Sequence, residues 1–169
     1  MTLDRLVLVG APAAGKTTVG RLVAERLGTG FADTDEQVAA DLGLSLPEAY
    51  ASLPEAELAR AQTRASLPAL RQPGVISLGS AAVEADQVRT ALQGLPVVWL
   101  RVSVPQATRR LGMSALGMET LTVMRKQLDA LLQAREHWYE RVAAVQVDTD
   151  RLSVAEVADR VIEVWRGLP

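Results

Sequence analysis

Gly10-Ala11-Pro12-Ala13-Ala14-Gly15-Lys16-Thr17 lies between an apolar run at 6–9 and a segment of helical period that reaches Leu27. These eight residues fit G-x-x-x-x-G-K-[ST], a P-loop whose main-chain amides cradle phosphate. Each part answers a physical need. A short buried strand delivers the loop, and glycines let successive N–H groups turn toward one anion. The helix that follows adds the positive end of its dipole. Lys16 is placed to reach the β- and γ-phosphates of a nucleotide, and the Thr17 hydroxyl to coordinate Mg²⁺. Val19, Leu22, Val23 and Leu27 give the helix an apolar face, so the motif has the context it needs. An ordinary strand-to-helix turn would not require a lysine beside its second glycine.

The rest of the chain suits one α/β domain. Its 169 residues are enough for one sizeable core and too few for two, and 49% of them are apolar. A net charge of −2 argues against a general nucleic-acid surface, and the absence of cysteine excludes disulfides and thiolate metal sites. No apolar run approaches a membrane span and no secretory h-region opens the chain, so a cytoplasmic monomer is expected.

Strands are predicted at 6–9, 31–33, 75–78, 97–102 and 145–147. Helices are predicted at 16–27, 36–42, 45–53, 54–70, 84–92, 105–111, 121–142 and 153–165. Two capping boxes, Ser45 with Glu48 and Ser153 with Glu156, mark helix starts. The last helix should bury a stripe of Val154, Val157, Val161 and Trp165. Periodicity lapses between Gly112 and Thr120, which reads as a mobile lid over about 112–122 within the single domain 1–169. Regular alternation of strand and helix implies a parallel sheet with helices on both faces, a three-layer αβα arrangement.

Asp33-Thr34-Asp35 ends the second strand, at the carboxyl edge where open α/β sheets place ligands. Strand alternation would point both acids to one side. One could then hold Mg²⁺ while the other accepts a hydrogen bond from an acceptor hydroxyl; alternatively, Asp35 merely caps the helix it precedes.

Here the chain resembles the shikimate kinases, small P-loop kinases of the nucleoside-monophosphate-kinase type. The resemblance rests on residues 16–22 and 31–35, on Ile76-Ser77-Leu78-Gly79 with Ala82-Val83, and on Arg109-Arg110. It continues in Ala134-Arg135 with Trp138-Tyr139, and in Val147-Asp148-Thr149-Asp150. It implies a P-loop NTPase fold with a five-stranded parallel sheet, and ATP and Mg²⁺ as cofactors. It also implies transfer of the γ-phosphoryl to a hydroxyl of a small-molecule substrate. With the motif, it assigns catalysis to Lys16, Asp35 and Arg135, and metal binding to Thr17 and Asp33. Nucleotide binding falls to Gly10, Ala13, Ala14, Gly15, Lys16, Thr17, Thr18 and Arg110. Acceptor binding falls to Asp35, Arg60, Gly79, Ser80 and Arg135, with Arg135 on the acceptor carboxylate.

Departures cluster on the acceptor side. Ala13 replaces a usual third P-loop glycine. Ala59 occupies the place of an arginine that clamps the acceptor carboxylate, and the adjacent Arg60 is rotated from it by about 100° on a helix. A family Gly-Gly-Gly reads Gly79-Ser80-Ala81, which would bring two Cβ atoms toward the acceptor ring. Gly117 stands where a lid arginine is usual, and no arginine occurs between Leu111 and Met124, leaving Arg125 or Lys126 as substitutes. Losing one arginine from a buried carboxylate clamp costs a few kcal/mol. The losses leave room for a kinase of another hydroxy acid such as gluconate, or for a degenerate ATP-binding relative without turnover. A nucleotide acceptor suits the chain less, because no second phosphate clamp is visible.

Other residues have plain readings. Trp99 and Trp165 suit the core, His137 suits the surface, and Arg109-Arg110 either complement a helix dipole or face an adenine.

Overall fold

The computed structural model describes residues 4–169. Element order is β1 (Arg5–Val9), α1 (Lys16–Leu27), β2 (Phe31–Asp33), α2 (Thr34–Leu42), α3 (Leu46–Ser52), α4 (Glu55–Ala69), β3 (Gly74–Ser77), α5 (Asp86–Leu92), β4 (Val97–Arg101), α6 (Val104–Arg110), α7 (Met118–Val142), β5 (Val145–Asp148) and α8 (Val154–Arg166). The five strands form one parallel sheet in the order β2-β3-β1-β4-β5.

Period-two alternation along β1 divides the core. Leu6 and Leu8 join Val23 of α1 and Val157 and Val161 of α8 on one face. Val7 and Val9 join Leu70, Val88, Leu92, Trp99 and Tyr139 on the other. Burial on both faces explains why β1 reads as a continuous apolar run.

Local signals set the helix ends. Gly28 and Gly43 close α1 and α2 in the left-handed conformation, and both capping boxes form. Pro54 is the residue before α4 rather than its first turn.

Three expectations need correction. The lapse of order after Gly112 is shorter than the sequence implies, because a single turn forms at Met113–Ala115 and α7 already begins at Met118. The α8 stripe starts one turn late: Val154 is 44% exposed and Trp165 is half-buried, leaving Val157, Ala158 and Val161 as the buried contacts. Finally, Asp35 is not on the strand. Asp33 ends β2 and caps α2 by accepting the amides of Asp35 and Glu36, so Asp35 lies in the first helical turn. The cap is therefore Asp33, not Asp35.

No helix among the described residues is long and apolar enough to cross a membrane.

Candidate active site

β1 ends in the P-loop at the carboxyl edge of the sheet. Gly10 has φ +152° there, and a Cβ on it would meet the Leu100 carbonyl oxygen at 2.5 Å, so the loop can pass β4 only as glycine. Ala13 is the one non-glycine among the described residues with positive φ, at +65°. It stands where the family resemblance expects glycine, and it keeps the loop's turn at the cost of left-handed strain, about 1–2 kcal/mol. Gly15, also left-handed, precedes α1 without a side-chain cap. The first-turn amides of Lys16, Thr17 and Thr18 have no acceptor within the helix and suit a phosphate. Ala14 is buried behind them, and Thr18 is exposed.

Lys16 is buried, with Nζ donating to the carbonyls of Gly10 (2.8 Å) and Ala11 (2.9 Å). Burial lowers its pKa from the usual lysine range. The charges of Asp35 and Asp33 oppose that shift, while Arg135 adds to it. The ammonium is thus within electrostatic range of both acids and the arginine.

Across from it, the Thr17 hydroxyl donates to Asp33 Oδ2 at 2.5 Å, while Asp33 Oδ1 serves α2. These two hard oxygens suit Mg²⁺, which takes one or two protein ligands and completes its shell with phosphate and water. No cluster of three or more acidic, histidine or cysteine groups that could hold a metal ion exists among the described residues.

Asp35 is turned inward from α2. Burial raises its pKa above the usual carboxylate value; Lys16 and a hydrogen bond from Tyr50 pull it down, and Asp33 pushes it further up. Burial is the largest of these effects. The Tyr50 hydroxyl donates to Asp35 Oδ2 at 3.2 Å. Oδ1 lies against Gly79: a Cβ there would be 2.7 Å from Oδ1 and 2.6 Å from Gln62 Cδ. Thr34, which reads as a spacer in the sequence, accepts the Gly79 amide at 2.8 Å and locks the ends of β2 and β3 together. Gly79→Ala should therefore displace the Asp35 carboxylate, and kcat/KM should fall about 100-fold. Steady-state kinetics alongside a thermal melt checks this.

Arg135 projects from α7 and is the only buried arginine among the described residues. Its Nε donates to Glu84 at 2.8 Å and one terminal nitrogen donates to Ser80 Oγ at 3.3 Å. The other lies 3.8 Å from Glu55, too far for a hydrogen bond. Two of five N–H donors are engaged, so three remain for an acceptor carboxylate. Arg89 supports the arrangement by donating to the Val83 and Glu84 carbonyls while stacked 3.7 Å from the Trp138 ring centroid.

Ser80 and Ala81 are buried, at 4% and 7% exposed. The Ser80 hydroxyl meets Arg135, its carbonyl accepts the Tyr139 hydroxyl, and the Ala81 amide donates to Gln62 Oε1 at 3.0 Å.

Arg110 ties the P-loop to the end of β5. It donates to the Ala13 carbonyl at 3.1 Å and to Thr149 at 3.0 and 2.9 Å. Arg60 is not brought to this network: it is exposed and makes no hydrogen bond or ion pair among the described residues, while Ala59 beside it is half-buried. Trp99 is buried against Tyr139, and His137 is exposed beside Trp138.

Sequence reasoning missed Tyr50, Gln62 and Glu84. A polar residue on the buried side of α4 was the only signal available for Gln62. Nothing local announces the other two.

The shikimate kinase family model matches residues 12–166. The shikimate kinase of Streptomyces coelicolor is 37% identical over 164 residues, covering 96% of this chain and 96% of that protein. That of Salinispora tropica is 42% identical over 165 residues, with 96% of each chain covered. Among solved structures, the shikimate kinase from Acinetobacter baumannii in complex with shikimate gives a TM-score of 0.86 at 27% identity, over 98% of this chain and 94% of that one.

Proposed function

The chain belongs to the shikimate kinase family, and from that premise we propose that it transfers the γ-phosphoryl group of ATP to a hydroxyl of shikimate. The P-loop at the end of β1, with Lys16 on its carbonyls and Thr17 bonded to Asp33, supports the activity most directly. Loop amides and Lys16 hold the nucleotide phosphates. Mg²⁺, held by Thr17 and Asp33, would supply positive charge at the phosphate oxygens. Arg135 anchors the acceptor carboxylate through its remaining N–H groups, which fixes the ring relative to Asp35. Asp35 accepts the hydrogen bond of the reacting hydroxyl and takes its proton as the new O–P bond forms and the bond to the ADP oxygen breaks.

Recognition of the carboxylate rests on Arg135, since Ala59 carries no charge and Arg60 is exposed. Ser80 is buried with its hydroxyl on Arg135, beside the group that anchors the carboxylate. The segment at about 112–122 acts as the lid of this single domain, with charge from Arg125 or Lys126. The enzyme works in the cytoplasm as a monomer.

Coupled ADP release with a panel of hydroxy acids tests the assignment. Shikimate should support turnover with a kcat/KM at least about 100-fold above gluconate, the margin expected when a built polar site rejects a poorly matched partner. A preference for gluconate, or ADP release indifferent to the acceptor, would overturn it.

A further inference from the structure

Tyr50 does not behave as a surface tyrosine. The residue is 45% exposed, and such a side chain ordinarily keeps its polar tip in water. Instead the hydroxyl turns inward to Asp35 Oδ2 at 3.2 Å. The buried residue of the seven-residue helix α3 is Ala49, and its start is set by the Ser45–Glu48 capping box.

The position matters because of what happens to the other carboxylate oxygen. Oδ1 is pressed toward Gly79, itself buried beneath Asp35 and Gln62. Oδ2 is the carboxylate oxygen to which Tyr50 already donates. A carboxylate oxygen has two lone-pair directions, so a phenol and an alcohol can donate to it together. The Tyr50 oxygen, having spent its proton on Asp35, keeps its own lone pairs for a further donor. An acceptor hydroxyl bound at Oδ2 thus has the phenol oxygen as its immediate neighbour.

We propose that Tyr50 is an acceptor-recognising residue that shares Asp35 Oδ2 with the reacting hydroxyl and accepts a hydrogen bond from the hydroxyl on the adjacent carbon. The site would then select acids bearing vicinal hydroxyl groups. The inference rests on the assignment of Asp35 to the acceptor.

Tyr50→Phe keeps the ring and removes only the hydroxyl. Its melting temperature should stay within about 2 °C of wild type, and its affinity for ADP should be unchanged. Calorimetry in the presence of ADP, which needs no turnover, reads the acceptor side. Shikimate should bind Tyr50→Phe about 10-fold more weakly than wild type. An analogue lacking the hydroxyl next to the reacting one should bind the two proteins within about 2-fold of each other. Equal losses for both ligands would make Tyr50 only a support for Asp35, and no loss would make it surface cover; either overturns the proposal. A large fall in melting temperature with matching losses for ADP would do the same. Normal binding contrasts without any shikimate-dependent ADP release would instead overturn the function and leave the recognition standing. Failure of shikimate to bind wild type would overturn both.

Discussion

Lys16→Ala should lower shikimate-dependent ADP release by about 10³-fold or more while leaving a folded protein. The expected size follows from what the ammonium does when charge builds up on the transferring group: a cation aimed at that group in a water-poor site is worth 10³-fold or more in P-loop chemistry. Stability responds differently. Lys16 is buried, burial already lowers its pKa, and its protein partners are two main-chain carbonyls. Removing it forfeits two hydrogen bonds and relieves the desolvation of a charge. These terms oppose each other, so the melting temperature should move by less than about 4 °C, equivalent to roughly 1 kcal/mol for a chain of this size. The coupled assay and a thermal melt on one preparation check both halves. An inactive variant that melts far below wild type would attribute the loss to unfolding.

Asp35→Asn should cost about 10²–10⁴-fold in kcat, the range for removing a positioned proton acceptor, with the ADP dissociation constant changed by less than about 3-fold. The split is the informative part. Asp33, not Asp35, is bonded to Thr17 and caps α2, so the nucleotide and metal side keeps its contacts in this variant. Asparagine still offers a carbonyl oxygen to the Tyr50 hydroxyl and fits beside Gly79, which preserves the shape. What disappears is the negative charge that Lys16 feels and the lone pair that takes the proton. Calorimetry of ADP binding beside steady-state kinetics separates the two. Full activity in Asp35→Asn would show that another group accepts the proton.

Local rules made much of this protein legible. The P-loop, the extent of α1, the glycine ends of α1 and α2, and both capping boxes depend on residues a few positions apart, where steric and hydrogen-bond preferences act directly. The acids at 33 and 35 were recognisable as a pair, but strand alternation was the wrong reason. Asp33 starts the helix by accepting two of its amides, so helical geometry, not the pleat, directs Asp35.

The acceptor side was less legible because its contacts cross large sequence distances. Arg135 finds Glu84 across the α7 packing, Gln62 reaches Ala81 from α4, and Tyr50 reaches Asp35 from α3. Each partner looks ordinary where it stands in the chain. Ser80 is a further case: nothing beside it in the chain indicates that its hydroxyl accepts from the Arg135 guanidinium.

Labelled phosphoryl transfer tests the central claim most directly. Incubation with ATP carrying label in the γ-phosphate should move the label into phosphorylated shikimate, one phosphate for each ADP formed, with little in inorganic phosphate. Label recovered only as inorganic phosphate, or retained in ATP at saturating shikimate, would contradict the account.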